Sequence, residues 1–106
     1  MSGDQAIFAY RTIAPKLADL TEELLFGDIW ARDGLSPRDR SIITLSALIA
    51  QYRIEQIDYH LGKALNNGVT KEELVELITH VTFYSGWPAG MSAIALANKV
   101  FEEKGL

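Results

Sequence analysis

Two histidines are the residues of this sequence best suited to acid–base chemistry. His60 and His80 fall within helical patterns, and each lies at the edge of its helix's apolar stripe. Because an imidazole changes charge near neutral pH, either histidine could give or take a proton in a pocket between helices. The alternative is two boundary histidines that only satisfy local hydrogen bonds, since spacing alone is weak support for catalysis.

Polar neighbours on the same helices could complete such a pocket. Arg53 and Gln56 share one flank of a helix with His60, and Glu76 lies one turn before His80. Glu76 and His80 together offer two metal ligands at most, and no cluster of cysteines and histidines exists, so no metal site is expected.

Three further side chains are candidates for binding a ligand. Arg40 lies on the only polar seam of an otherwise apolar helix, where a charge needs a partner or a ligand. Tyr84 and Trp87 flank a turn between two helices. They either wall a ligand pocket or serve as core and interface aromatics.

Composition excludes several kinds of chemistry and of partner. The 106 residues include no cysteine, so disulfides, thiolate catalysis and thiolate metal sites are excluded. The net charge is −4 and the ten basic residues are scattered, so no nucleic-acid partner is expected. With no signal-peptide pattern and no apolar stretch long enough to span a bilayer, we expect a cytoplasmic protein that does not bind membranes.

The apolar content is high for a chain of this length. Hydrophobic residues make up 48% of the sequence, and the mean hydropathy is +0.05. A small domain has a high surface-to-volume ratio and cannot hide all of these side chains. The sequence therefore predicts a homo-oligomer that buries apolar surface between subunits. The alternative is a monomer whose many alanines inflate the count.

Helical periodicity recurs along the whole chain, while alternating strand patterns are absent. The sequence predicts an all-α fold, with residues 1–106 forming a single-domain bundle of about six helices. The predicted helices cover about residues 5–14, 15–26, 37–50, 53–67, 71–85 and 88–104. Glycines punctuate a predicted connection over residues 27–35.

Several helix ends carry clear sequence signals. Ser36 is a good N-cap before Pro37, and Thr70 with Glu73 forms a capping box. Gly68 suits a left-handed C-terminal cap. The helix that starts at Pro37 is apolar almost all round, which predicts a central helix covered on most sides.

Four stretches of the sequence resemble a known family. They are residues 37–50 (PRDRSIITLSALIA), residues 60–70 (HLGKALNNGVT) followed by two glutamates, residues 78–88 (ITHVTFYSGWP) and residues 26–30 (FGDIW). Together they resemble carboxymuconolactone decarboxylase-like proteins of the alkylhydroperoxidase D-like superfamily. The resemblance covers nearly the whole chain after the first twenty residues.

The resemblance implies a fold, an assembly and an activity. The fold is an all-helical bundle whose protomers interlock, commonly as hexamers built from dimers or trimers. The activity is removal of carbon dioxide from a carboxylated lactone of aromatic catabolism, which gives the enol-lactone of 3-oxoadipate. No cofactor is needed, because the conjugated lactone carbonyl takes up the electrons.

The same resemblance implies roles for the candidate residues. Arg40 and Arg53 would bind substrate carboxylates. His60 or His80 would donate the proton or hydrogen-bond the developing oxyanion, and Tyr84 could assist. These roles require the histidines and arginines to converge on one cavity, within a chain or across a subunit interface.

Relatives with peroxidase activity use a Cys-x-x-Cys pair, which this sequence lacks. Counting back from His60, the two cysteine positions hold Arg53 and Gln56, so thiol peroxidase chemistry is not available. Two other functions remain open besides decarboxylation. One is an enzyme or binder with a different small-molecule ligand, and the other is a non-catalytic oligomeric scaffold.

Overall fold

The computed structural model describes residues 7 and 9–106 of the chain. The helices are α1 Pro15–Leu20, α2 Pro37–Ala50, α3 Ile54–Asn66, α4 Lys71–Ser85 and α5 Trp87–Lys104, and the π-helical segment Thr21–Ile29 continues α1. The described residues contain no strand, which confirms the predicted all-α fold.

The N-terminal region differs from its prediction. The helix predicted over residues 5–14 lies partly outside the described residues, and its described part forms 3₁₀ and turn structure instead of an α-helix. The amides of Ile13 and Ala14 both donate to the Tyr10 carbonyl at 2.9 Å, which closes a single turn. A helix of about ten residues is marginal in water unless it packs against other elements. The helical periodicity of this segment was therefore not enough to predict an α-helix correctly.

The predicted connection over residues 27–35 is also partly wrong, because the helix runs on through Gly27 to Ile29. The Trp30 amide donates to the Leu25 carbonyl at 2.9 Å, a hydrogen bond that spans five residues. Glycine costs a helix about 1 kcal/mol relative to alanine. Packing of Phe26 and Trp30 against α3 offsets that cost, and π-helical winding brings both rings to the same side.

The predicted start of α2 is confirmed, and a polar contact ties it to α3. Ser36 Oγ accepts a hydrogen bond from the Asp39 amide at 3.1 Å. Asn67, which follows α3, donates from Nδ2 to Oγ of the buried Ser41 at 3.0 Å. Gly68 then turns the chain with φ +95°, as predicted for the C-terminal cap.

The α4–α5 pair closes the bundle through small residues. Ala89, Ala93 and Ala97 recur every fourth position of α5, and all three are buried, as their spacing predicts. Gly90 lies so close to α4 that an added Cβ would stand 2.0 Å from Thr82 Oγ1. This contact lets the two helix backbones approach where a larger residue would hold them apart.

One apolar core joins the four helices α2 to α5. Its large, almost fully buried side chains are Leu45, Ile49, Ile57, Leu61, Leu74 and Ile78. Every one of these residues belongs to an apolar stripe at helical spacing, so burial of the stripes explains how the helices pack.

The single chain nevertheless leaves much apolar surface exposed. The prediction that α2 is covered on most sides is not met within one chain, since the Ile43 side chain is 53% exposed. Where α4 meets α5, Phe83 is 69% exposed, and Trp87 and Met91 are also exposed. None of the helices in the described chain is both long and apolar enough to cross a bilayer.

The capping box of α4 gives a pH-dependent prediction. The Thr70 amide donates to Glu73 Oε1 at 2.9 Å, and the Arg38 guanidinium pairs with Oε2 of the same carboxylate. The Thr70 hydrogen bond first, and then Arg38, hold the pKa of Glu73 below its ordinary value of 4.5. A carboxylate with a lowered folded-state pKa stabilises the fold above its unfolded pKa, and this stability is lost as pH falls through the folded pKa.

We therefore expect Glu73→Gln to lower the free energy of unfolding near neutral pH. The gap to the wild type should close as pH falls below 4.5. Urea unfolding at a series of pH values measures this gap. Glu72→Gln, in the same first turn of α4, is the matched control and should keep the wild-type pH profile. If the difference in the free energy of unfolding between wild type and Glu73→Gln is the same at pH 7 and at the lowest pH measured, the role assigned to Glu73 is wrong.

Candidate active site

His60 is buried, which corrects its predicted position at the edge of the apolar stripe. Its side chain is only 1% exposed and lies on the inner side of α3. The Trp30 ring lies nearly parallel to the imidazole, with centroids 6.1 Å apart and planes at 17°. The Tyr59 ring meets the imidazole edge-on at 4.9 Å. The sequence missed this burial because Trp30 fell in the predicted connection.

A lysine lies beside this histidine, one turn further along α3. The Lys63 Nζ atom is 4.1 Å from the centroid of the Phe26 ring and 4.2 Å from that of Trp30. The Tyr59 ring is more distant, at 5.9 Å. Cation–π attraction draws the ammonium group to the Trp30 ring, which also stacks on the His60 imidazole. Trp30 therefore contacts both the imidazole and the ammonium group.

His80 lies elsewhere, in a groove of about 370 Å³ between α2 and α4. Ile42, Leu77 and Val81 form the apolar part of the groove lining. The polar lining residues are Ser46, Glu73, Glu76 and His80. The imidazole is exposed, and the Tyr84 ring lies 5.1 Å from it. The predicted i, i+4 neighbours Glu76 and His80 therefore do line one groove.

The two arginines do not join His80. Arg53 lines an open groove at the start of α3 together with Gln56, as their shared flank predicts, and neither histidine lines that groove. Arg40 Nη2 donates to the Arg32 carbonyl at 3.2 Å. Its partner is thus a backbone carbonyl, although Arg40 Nε is buried and finds no acceptor for its N–H among the described residues.

Tyr84 and Trp87 lie on the outer face of the α4–α5 corner. The Tyr84 side chain is 81% exposed beside His80. Trp87 packs edge-on against Phe83 at 5.0 Å and lines an apolar groove of about 210 Å³ between α4 and α5. Their exposure fits interface aromatics better than the walls of a closed pocket. Among the described residues, no three histidine, aspartate or glutamate side chains cluster as metal ligands would.

Residues 15–99, which include every residue that lines these grooves, match the model of the carboxymuconolactone decarboxylase family. The chain belongs to this family. The match spans all five helices apart from the last turn of α5. It confirms the resemblance and places His60, His80, Arg40 and Arg53 within the family's own domain.

Two named decarboxylases are among the chain's relatives. A 4-carboxymuconolactone decarboxylase of Acinetobacter baylyi is 42% identical over 81 residues, which cover 76% of this chain. The nitrosuccinic acid decarboxylase npaB of Metarhizium robertsii is 33% identical over 85 residues, or 80% of this chain. The chain spans only 60% and 59% of the length of these two proteins.

A third relative, an uncharacterized 15.0 kDa protein of Paracoccus denitrificans, is 29% identical over 98 residues. These residues make up 91% of this chain and 73% of that protein. A shared fold does not by itself specify a substrate.

In this member of the family, the structure separates the residues that the sequence grouped. His60 lies in an aromatic cluster against α3, and His80 lies in an acidic groove against α2. Sequence analysis missed Lys63 and the pair Phe26 and Trp30. The i, i+4 spacing of these two aromatics could have revealed them as one helix face, had residues 27–30 been assigned to a helix.

Proposed function

We propose that this protein is a cofactor-free decarboxylase that acts on a small carboxylated lactone of the 4-carboxymuconolactone type. Two decarboxylases among its relatives support this proposal. The structural observation that carries it is the buried imidazole of His60, packed between Trp30 and Tyr59. A site shielded from water strengthens each electrostatic contact with a developing negative charge.

The proposed reaction needs one proton and no external electron acceptor. The bond between the ring carbon and its carboxylate breaks, and carbon dioxide leaves. The electron pair passes through the conjugated double bond to the lactone carbonyl, which forms a dienolate. His60 then gives a proton to carbon or hydrogen-bonds the dienolate oxygen while the proton arrives. The product has lost carbon dioxide and gained one hydrogen.

The surroundings of the two histidines favour His60 for this role. His80 shares its groove with Glu76, whose negative charge repels a substrate carboxylate, and with Glu73, whose charge is paired with Arg38. His60 has a cation one turn away. Arg53, the exposed residue just before α3, is proposed to attract the carboxylated substrate to the protein surface, and it is assigned no contact with His60. Arg40 already binds a carbonyl and is assigned no contact with substrate.

A nitro acid is the second candidate substrate. The relative from Metarhizium robertsii is named for nitrosuccinic acid. In nitrosuccinate the nitro group next to a carboxylate takes up the electron pair, as the conjugated carbonyl does in the lactone. Both substrates are dicarboxylates with a built-in electron acceptor, so one protein site suits either reaction.

Direct comparison of the two substrates tests the proposal. Purified protein is incubated with 4-carboxymuconolactone or with nitrosuccinate, and carbon dioxide release is followed against a protein-free control. We expect turnover of the lactone at the higher kcat/KM. Faster turnover of nitrosuccinate would replace the first candidate by the second. Release of no carbon dioxide from either compound by folded protein would refute both.

We also propose that the protein is a homo-oligomer, either a hexamer or a trimer, that buries the aromatic corner of α4 and α5. The exposed side chains Phe83, Tyr84, Trp87 and Met91 support this assembly, because exposed apolar patches commonly mark subunit contacts. Tyr84 and Trp87 would then act mainly at the interface. The proposed location is the cytoplasm.

Sedimentation equilibrium measures the assembly. We expect a mass several times that of the 11.8 kDa chain. Phe83→Glu should shift the distribution towards single chains, since it puts a charge into an apolar contact. Glu103→Gln, an exposed change on α5, should not. A wild-type protein that sediments as a single chain would contradict the proposed assembly.

A further inference from the structure

The groove between α2 and α4 has the size and the mixed lining of a small-molecule site, and the proposed decarboxylation does not use it. Its volume is about 370 Å³, which lies within the usual range of ligand pockets. Ile42, Leu77 and Val81 form its apolar part, and Val81 is buried. Because removing hydrocarbon from water is favourable, this apolar part suits a ligand with an apolar body.

Glu76 gives the groove a negative charge that no ion pair balances. The other acid in the lining, Glu73, accepts from the Thr70 amide and pairs with Arg38. The carboxylate of Glu76, by contrast, pairs with none of the basic side chains in the part of the chain that the structure describes. An opposite charge in the groove would therefore be attracted to Glu76, and a second negative charge would be repelled.

The opposite wall offers a further hydrogen-bond acceptor. Ser46, on α2, donates its hydroxyl proton to the Ile42 carbonyl at 2.8 Å. Its Oγ lone pairs are left to accept a hydrogen bond from a ligand. Together with the carboxylate of Glu76, the groove thus presents acceptors from both helices, and a matching ligand group must supply N–H donors and a positive charge. A primary ammonium group has three N–H donors and no acceptor.

The spacing along α4 sets the length of such a ligand. His80 lies four residues beyond Glu76, which is an advance of about 6 Å along a helix. Side chains at this spacing lie on one helix face. The Tyr84 ring is 5.1 Å from the imidazole, so two aromatic rings stand at the His80 end. A ring joined to an ammonium group by a short chain spans this distance.

We propose that this groove binds a small primary amine with an apolar body. The ammonium group lies between Glu76 and Ser46, and the hydrocarbon lies over Leu77 and Val81 with its far end towards His80. The site is separate from the one proposed for decarboxylation, so the inference goes beyond the proposed function and does not depend on it.

Phenethylamine is the probe, because it is a cation at neutral pH and carries a phenyl ring two carbons from the nitrogen. Methyl NMR of the wild-type protein follows Ile42, Leu77 and Val81 during the titration, and the method also suits an oligomer. We expect the signals of these three residues to shift together, with a Kd of about 1–10 mM for so small a ligand in an open groove.

Two matched compounds test the charge without any substitution in the protein. Phenethyl alcohol has no charge, and phenylacetate carries a negative one. The Kd should rise from the amine to the alcohol by about threefold, as expected for an exposed ion pair, and phenylacetate should bind most weakly. High salt should weaken binding of the amine but not of the alcohol.

A matched pair of variants then locates the charge. Glu76→Gln should raise the Kd of phenethylamine by about threefold and remove the difference between the amine and the alcohol. Glu72→Gln makes the same change of charge on α4 but lies outside the groove lining, so it should keep the wild-type Kd. Circular dichroism shows whether each variant is folded.

Several results would overturn the inference. They are equal Kd values for the amine and the alcohol, an equal loss of amine binding in folded Glu76→Gln and Glu72→Gln, and amine-induced shifts confined to Met91 and Ile94 in the groove between α4 and α5. Methyl signals of Leu77 and Val81 that do not respond to the amine would also overturn it. A second copy of the chain that covers the groove would give that last result.

Discussion

The His60→Gln variant is expected to lose a factor of about 10²–10⁴ in kcat for lactone decarboxylation, the usual contribution of a positioned acid or base. Glutamine keeps a hydrogen-bond donor and similar bulk in the buried site, but it cannot exchange a proton near neutral pH. KM should change less than kcat, because substrate binding relies on other groups. Initial rates over a range of lactone concentrations measure both constants.

His80→Gln is the matched control for this prediction. The same substitution in the exposed, acidic groove should keep kcat within about threefold, since His80 is not expected to contact substrate. Both variants should retain the helical circular dichroism of the wild type at the assay temperature. If His80→Gln loses much of its kcat while His60→Gln keeps wild-type activity, the reaction takes place in the groove between α2 and α4, and the role assigned to His60 is wrong.

The Gly90→Ala variant is expected to lose about 1–3 kcal/mol in the free energy of unfolding, as overpacked cores do. The added Cβ would lie 2.0 Å from Thr82 Oγ1 and 2.9 Å from both Thr82 Cβ and Cγ2. Thr82 cannot easily turn away, because it is β-branched and its hydroxyl donates to the Ile78 carbonyl at 2.7 Å. The α4 and α5 backbones must therefore move apart.

Urea unfolding at one fixed protomer concentration measures this loss, since assembly makes stability depend on concentration. Thr82→Ala in the Gly90→Ala background should recover part of it, with a coupling of about 1 kcal/mol between the two sites. Gly62→Ala is the helical control. Its Cβ would meet only the flexible end of Lys104 at 3.9 Å, so it should stabilise by about 0.4–1 kcal/mol. A destabilising Gly62→Ala with a neutral Gly90→Ala would contradict the packing described for α4 and α5.

Helix ends with local signals were predictable from the sequence. The caps at Ser36 and Thr70 and the turn at Gly68 depend on residues within three or four positions, so the chain fixes them locally. The continuation of the first helix through Gly27 was not predictable in this way. It depends on contacts between Phe26, Trp30 and α3, which only the folded chain brings together.

The candidate site was predictable only in part. The family resemblance named His60 and His80 without choosing between them. Helical spacing put Arg53, Gln56 and His60 on one flank, and the structure keeps only Arg53 and Gln56 in one groove. Trp30 covers the His60 imidazole and contacts the Lys63 ammonium group, and it lies about thirty residues earlier in the chain. Periodicity within one helix carries no information about such a contact. The same limit explains why the two histidines, similar in pattern, lie in different surroundings.

The most direct test of the decarboxylase proposal is to run the reaction in D₂O with dialysed protein and 4-carboxymuconolactone, and to follow product and carbon dioxide by NMR. The account predicts one carbon dioxide released for each enol-lactone formed, with one deuterium from solvent on the product carbon. Lactone that stays intact with folded protein, or is consumed without release of carbon dioxide, would contradict it.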